Sequence, residues 1–312
     1  NLILDAPYDP TSVTRECRDF YGRERELESL ARIVTGEMDE GGRKYHAVIL
    51  GGPAIGKDAL LNQIYCRSRI PGSPLSQGRV IARVTFGRVH KDTPTSFIYR
   101  KYLYALSEVA QDATLRARVE TASKNPDIDC QHFLALFEEA EYRDLEIVFL
   151  IDQLPKLLRM EPGESEGPWN FWADLDRLQD RVRFVSTARH EEYEALLRDR
   201  LEPLTEAFHQ NIKMIALSCL EERECRDWVD ALFERYLHRP EGAPERVHRF
   251  VGREAGRHPY LISLVGHTLI REIKGEILAR PSQNDPLDPT MLDRFFQATA
   301  KRVERPRAIF FE

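Results

Sequence analysis

Long apolar runs are missing from this chain. Nothing approaches the ~18 consecutive apolar residues of a membrane-spanning helix, and Asn1-Leu2-Ile3-Leu4-Asp5 has neither the basic start nor the apolar stretch of a secretory signal. A basic surplus is missing too: 45 Lys and Arg stand against 51 Asp and Glu, and the net charge of −6 argues against a general nucleic-acid footprint. Cysteine in metal-ligand spacing is absent. The five thiols, Cys17, Cys66, Cys130, Cys219 and Cys225, are odd in number and scattered, which favours reduced cysteines in a cytoplasmic protein over a disulfide framework. Internal repeats and low-complexity tracts are lacking. What remains is ordinary globular composition, 42% hydrophobic and 31% charged, so function has to be read from sites. At 312 residues the expectation is an α/β domain with a smaller partner. The lack of an initial Met and the abrupt stop at Phe310-Phe311-Glu312 read as an excerpt of a longer protein.

Residues 51–58, Gly51-Gly52-Pro53-Ala54-Ile55-Gly56-Lys57-Asp58, spell a nucleotide-phosphate loop, G-x-x-x-x-G-K, and miss its last letter. Such a loop wraps backbone N–H groups around phosphates, its lysine reaches the terminal ones, and a following Ser or Thr holds Mg²⁺. Asp58 has no hydroxyl and carries the opposite charge to the one a phosphate attracts. The pattern alone is weakly specific, since a glycine turn between strand and helix need bind nothing. Context strengthens it: the apolar run His46–Leu50 precedes it as a strand, and Ala59, Leu60, Leu61, Ile64 and Tyr65 follow at helical spacing.

Apolar strands alternate with amphipathic helices through the first two thirds of the chain. Val80–Phe86, Ile147–Ile151, Val182–Val185 and Ile212–Leu217 read as further strands. Phe97, Ile98, Tyr102, Leu103 and Leu106 mark one helix and Phe133, Leu134, Leu136, Phe137 and Ala140 another. This predicts a parallel sheet covered on both faces, with ligands at the carboxyl ends of the strands. That rule gathers the Gly51 loop, Asp152 with Gln153, and Ser186-Thr187-Ala188-Arg189 on one edge. From Ser218 on the pattern is helical. Ser218-Cys219-Leu220-Glu221 has the form of a capping box, Cys225, Trp228, Val229, Leu232, Phe233, Tyr236 and Leu237 keep one face, Pro244 and Pro259 suit helix first turns, and Asp288-Pro289 opens a last helix. The expected division is a core over 1–217, with a leader over 1–30, and a helical lid over 218–312.

An acidic residue ending an apolar strand is the position from which phosphate-loop enzymes hold Mg²⁺ or its water, and Asp152 occupies it; the alternative is a helix cap. Gln153 follows where many ATPases place a Glu base. An amide can position water and cannot take its proton. Arg189 is placed either to sense a γ-phosphate or to be a solvated surface charge. His258-Pro259 either covers the base or sugar or only starts a helix. The stretch Met160–Pro168, with Glu161, Glu164 and Glu166, reads as an acidic loop.

Five blocks, Phe20-Tyr21-Gly22-Arg23-Glu24-Arg25-Glu26-Leu27, the Gly51 loop, Leu150-Ile151-Asp152-Gln153, Val185-Ser186-Thr187-Ala188-Arg189 and Gly256-Arg257-His258-Pro259-Tyr260-Leu261, occur in the order and spacing of the STAND branch of AAA+ ATPases. The resemblance covers nearly the whole chain. It implies a P-loop NTPase core with a helical lid, with Tyr21 and Gly22 near the adenine, Thr187 and Arg189 at the phosphates, and Arg257, His258 and Pro259 closing over the nucleotide. It also implies ATP or ADP with Mg²⁺ as ligands, the Mg²⁺ held in part by Asp152; Asp58, by its own chemistry, either opposes the phosphates, coordinates Mg²⁺ as a hard oxygen ligand or caps the helix that starts there. The segment from Pro289 resembles the lead into a winged-helix domain. Family members are signal-transducing switches, often in bacterial defence, that form nucleotide-dependent oligomers through sensor and effector domains. Asp58 and Gln153 depart from the pattern. The expectation is therefore a regulatory nucleotide switch with slow hydrolysis, the alternative a pseudo-ATPase scaffold that binds a protein partner and no nucleotide. An origin-recognition-like DNA loader is disfavoured by the acidic balance and by the DNA-binding domain that the excerpt lacks.

Overall fold

A computed structural model describes residues 20–37, 45–86, 95–137, 144–152, 182–200, 212–279 and 287–311. Ala140, Gln153 and Met160–Pro168 lie outside the described residues. Two compact units divide the chain: Glu24–Pro53 with Lys57–Leu217, and Ser218–Glu312 with Ala54–Gly56 and the segment ending at Arg23.

The first unit is built on five parallel strands, β1 (His46–Leu50), β2 (Arg79–Thr85), β3 (Glu146–Asp152), β4 (Val182–Ala188) and β5 (Ile212–Ala216), in the spatial order β2-β3-β4-β1-β5. The apolar runs became the strands, as expected of an α/β fold. Side chains alternate across each strand. Val48, Leu50, Phe149, Ile151 and Phe184 pack on one face with residues of α3 (Thr95–Val109), α4 (Ala113–Ser123) and α5 (Cys130–Ala135), where the Tyr102 and Phe149 rings meet edge to face at 4.3 Å. The other face receives α1 (Glu24–Thr35) and α2 (Lys57–Ser68): Arg83 of β2 donates to the Asn62 side chain at 2.8 Å, and Arg183 of β4 to the Val34 carbonyl at 3.0 Å. Covered on both sides, β1 and β4 are buried throughout. β4 runs farther than its apolar letters. Pairing in register from Ala47↔Val185 to Leu50↔Ala188 carries Ser186 and Thr187 inside the strand, because ladder hydrogen bonds outweigh side-chain propensity. α6 (His190–Arg200) follows β4 directly.

The second unit holds α7 (Glu222–Leu237), α8 (Glu245–Ala255), α9 (Pro259–Ala279) and α10 (Pro289–Phe311) around Val229, Phe233, Val247, Leu261, Leu269 and Leu292. Pro244 is the N-cap of α8, Gly256 closes that helix at φ 59°, and Pro259 is the first residue of α9. At the start of α10, the Asp288 carboxylate accepts the Thr290 N–H at 2.9 Å. The expected capping box is corrected: Glu221, not Ser218, is the N-cap of α7, and Glu224 reaches back to the Glu221 N–H at 2.8 Å. Ser218 is drawn away because its carbonyl accepts the Arg23 guanidinium. The expectation of reduced cysteines is corrected for Cys66, which is disulfide-bonded, whereas Cys219 and Cys225 are free. Counting and spacing thiols in the sequence cannot see two of them folded into contact. No helix among the described residues is long and apolar enough to cross a membrane.

Candidate functional site

Gly51, the first residue after β1, begins the loop, and Lys57 opens α2. The loop turns through Ala54 at φ 49° and Gly56 at φ 96°, a conformation a Cβ resists, which accounts for the glycine before the lysine. Lys57 Nζ folds over the loop and donates to the Gly51 and Gly52 carbonyls at 2.8 and 2.6 Å. Burial pulls its pKa below the usual lysine range, and Arg189 adds to that, while Asp58, Glu192 and Asp152 act the other way. These five charged groups therefore share one neighbourhood at the carboxyl edge.

Asp58 sits in the first turn of α2, where a carboxylate also suits the helix dipole. Its environment is dominated by other things. Burial first, then the charge of Asp152 and a side-chain hydrogen bond with it, push the Asp58 pKa up to about 6, against the pull of Lys57 and Arg83. Two carboxyl groups can hydrogen-bond only through a proton held by one of them, and ionising both sets like charges against each other. Thr187, brought level with Asp152 by strand pairing, donates its hydroxyl to Asp152 Oδ1 at 3.1 Å. Arg189 leaves the end of β4 exposed. Two participants were not singled out from the sequence. Arg83 alternates with apolar residues in β2, and a charged residue inside a strand is the signal that marked it. Glu192 lies in the first turn of α6, where an acid reads as ordinary dipole compensation.

The other expected residues belong to the helical unit. Tyr21 stacks on Trp228 with ring centroids 5.9 Å apart. Gly22, at φ 74°, passes so close to Glu224 that a Cβ would come within 2.7 Å of Oε1. Buried Arg23 donates its backbone N–H to the same Oε1 at 2.6 Å. One carboxylate thus ties the leader and the start of α7 together. The Arg257 carbonyl accepts the Leu220 N–H at 2.9 Å, and His258 precedes Pro259 at the head of α9. The structure gathers Gly51, Gly52, Pro53, Lys57, Asp58, Ala59, Asp152, Thr187 and Arg189 in the sheet unit, and Tyr21, Gly22, Arg257, His258 and Pro259 in the helical one. Among the described residues no group of three or more His, Cys, Asp or Glu is arranged to hold a metal.

No protein-family profile matches the chain, and no curated protein does. Solved structures do match. The ORC2 protein of Aeropyrum pernix, solved in ADPNP and ADP complexes, superposes with a TM-score of 0.58 at 15% identity, over 95% of this chain and 70% of that one. A Walker-type ATPase of Pyrococcus abyssi gives 0.53 at 12% identity, over 94% and 76%. At such identity the likeness concerns architecture. Together with the parallel five-stranded sheet and its loop after β1, it shows that this chain has the α/β fold of P-loop NTPases.

Proposed function

We propose that this chain is an ATP- or ADP-binding switch module of the STAND type, with slow hydrolysis. The observation that carries the reading is the juxtaposition of a lysine-bearing phosphate loop with the Asp58–Asp152 pair on one strand edge. Backbone N–H groups at the head of α2, with Lys57 and Arg189, supply the positive field a polyphosphate needs. The carboxylate pair carries the opposite field. A hard divalent cation reconciles them, and two adjacent carboxylates suit Mg²⁺, which keeps several waters and fills its shell with substrate phosphates. Asp58 and Asp152 would hold it, with Thr187 orienting Asp152. Bound there, Mg²⁺ would neutralise charge on the phosphates. Hydrolysis is slow in this reading because Gln153 offers no proton acceptor at the usual position. The same reading assigns a cytoplasmic, nucleotide-dependent oligomer working with sensor and effector domains, in bacterial defence or regulation, and the net charge of −6 favours this over a DNA loader.

The scaffold alternative draws on one observation: Lys57 already donates to two carbonyls of its own loop, those of Gly51 and Gly52. Calorimetry with ADP and ATP, with Mg²⁺ and with chelator, separates the two. Heat that disappears in Lys57→Ala supports the switch. No heat and no thermal shift under either condition would leave the scaffold.

A further inference from the structure

The helical hairpin that follows β2 carries a stripe of side chains that the core does not use. Ile98, Tyr99, Tyr102, Leu103 and Leu106 of α3 pack in the core with the sheet. Phe97, Arg100, Lys101, Tyr104 and Glu108 recur three and four residues apart on another side of the same helix. Arg116, Glu120 and Lys124 do so on α4, and the two rows border an open groove of about 720 Å³. The ends of the hairpin hold two of these arginines. Arg100 donates through Nε to the carbonyl of Ser123, the last residue of α4, at 2.8 Å. Arg116 donates through Nε at 3.0 Å and Nη2 at 2.5 Å to the Ala110 carbonyl, one residue past α3. The hairpin is therefore antiparallel, and at about 1.5 Å of rise per residue the two anchor points stand about 15 Å apart along α3. Each guanidinium keeps N–H groups that these bonds do not use, Nη1 and Nη2 of Arg100 and Nη1 of Arg116. Between the anchors, the Tyr104 ring is 55% exposed.

We propose that this groove binds an extended acidic segment of a partner protein, with carboxylates on the two anchored arginines and an apolar side chain against Tyr104. Charge decides the class of partner. Arg100, Lys101, Arg116 and Lys124 line the groove against Glu108 and Glu120, of which Glu120 is already paired to Lys124 at 2.8 Å, on a chain whose net charge is −6. Distance decides its extent. A single carboxylate or phosphate cannot reach both arginines, whereas about five residues of extended chain span the gap. A nucleic-acid strand would carry phosphates past Glu108 and Glu120 without relief, but a peptide can set apolar or basic side chains there. A guanidinium already held along one edge has lost most of the freedom that binding would otherwise have to freeze, and it presents the planar fork that suits a carboxylate. Lys101 is restrained as well, with Nζ 5.5 Å from the centroid of the Phe97 ring. As caps for the helix ends and nothing more, Arg100 and Arg116 would contribute to stability alone.

The test is fluorescence anisotropy on the whole chain with a short fluorescein-labelled peptide that carries two Glu on each side of a Leu-Phe-Leu triplet, beside the same peptide with Lys for Glu and beside oligothymidylate. The expected result is saturable, salt-sensitive binding of the Glu peptide alone. Tyr104→Ala should weaken it about tenfold, and Lys101→Glu combined with Lys124→Glu on the order of 100-fold, with the urea midpoint little moved because all three side chains reach solvent. Arg100→Lys keeps the charge and loses the fork, so its affinity should lie between those of the wild type and the double variant. Absence of saturable binding by the Glu peptide overturns the proposal. Binding that none of these substitutions weakens overturns it too, since the peptide would then sit elsewhere. Tighter binding of oligothymidylate, lost in the same variants, would make the groove a nucleic-acid site, and self-association lost in Lys101→Glu without peptide binding would make it a contact between copies of this chain; either result overturns the proposal.

Discussion

Both ends of the five-stranded sheet hold a cluster of charges, and they follow opposite plans. At the amino end, Arg183, almost fully buried in β4, donates to Glu146 Oε2 at 2.7 Å, and Arg79 donates to the same oxygen at 2.6 Å. Carbonyls at the end of α1 take further donors: Val34 from Arg183 at 3.0 Å and Thr35 from Arg79 at 2.7 Å. His46 joins them in neutral form, its pKa pushed down to about 3 by burial and by Arg183, with its ring stacked 4.0 Å from Phe184 and Nδ1 accepting the Phe184 N–H at 3.2 Å. Opposite charges meet there, and they hold α1 to the sheet. At the carboxyl end, like charges meet. Asp58 and Asp152 lie against each other, and Lys57 and Arg189 share the same neighbourhood. A fold gains nothing from placing two carboxylates side by side, so the second cluster needs a reason outside the fold, for which the proposed function offers a cation and an anion bound together, whereas the first needs no ligand to make sense.

The comparison breaks most visibly at Arg183. Replacing it with Ala takes the fully buried partner from Glu146, which keeps Arg79, removes the donor from the Val34 carbonyl and empties a large buried volume, and should lower unfolding free energy by about 3–5 kcal/mol, as read by urea titration, with nucleotide affinity retained in the protein that folds. A change in ΔG below about 1 kcal/mol would mean that the amino cluster does not hold the sheet and α1 together.

Lys57→Ala should do the converse. Affinity for ADP and ATP is expected to fall about 100-fold or more, equivalent to about 2.7 kcal/mol, with the urea midpoint little moved. A large loss of stability here would show that Lys57 serves the loop through Gly51 and Gly52 more than it serves phosphate.

Gly36→Ala sharpens the packing side. Gly36 has φ 72°, and a Cβ there would lie 2.3 Å from Arg183 Nη1. Strain of about 1–3 kcal/mol should appear in wild type and shrink in an Arg183→Met background, where the shorter, uncharged side chain can give way. Equal costs in both backgrounds would locate the strain in the backbone alone.

The smallest effect carries the opposite sign. Because the folded-state pKa of Asp58 is raised from 3.8 to about 6, the folded protein binds that proton more tightly than the unfolded chain, so the site costs stability above about pH 6 and is relieved as pH falls towards 4. Asp58→Asn should raise the melting temperature at pH 7 without metal, by less than the roughly 3 kcal/mol that a two-unit shift represents because the Asn amide stays half-buried beside Asp152, and the gain should vanish near pH 4. A gain independent of pH would dissociate it from the carboxylate pair.

Much of the fold was legible because it is local. An apolar run of five residues is a buried strand wherever it sits, and His46–Leu50 and Ile147–Ile151 became β1 and β3 nearly letter for letter. Pro244, Gly256 and Pro259 likewise marked helix ends through their own backbone limits. Among the site residues, Gly51–Asp58 could be placed as a loop between strand and helix for the same reason. Glu192 and Arg83 could not, because an acid at a helix start and an arginine in a strand have ordinary explanations until their neighbours are known. The capping box at Ser218 failed on similar grounds: the motif was present, and Arg23, distant in sequence, took the Ser218 carbonyl.

The sequence by itself determined which segments are strands and helices, the glycine turn ahead of Lys57, and the acidic letter at position 58, since each depends on neighbours within a turn or two. Only the tertiary structure decided that Asp58 faces Asp152, that Arg183 buries its charge on Glu146, and that Arg23 and Glu221 share the carboxylate of Glu224. Those pairings follow from strand order, from register and from helix rotation, which are set by how all the apolar faces close over one another. A charge takes its meaning from the charge that packing sets beside it.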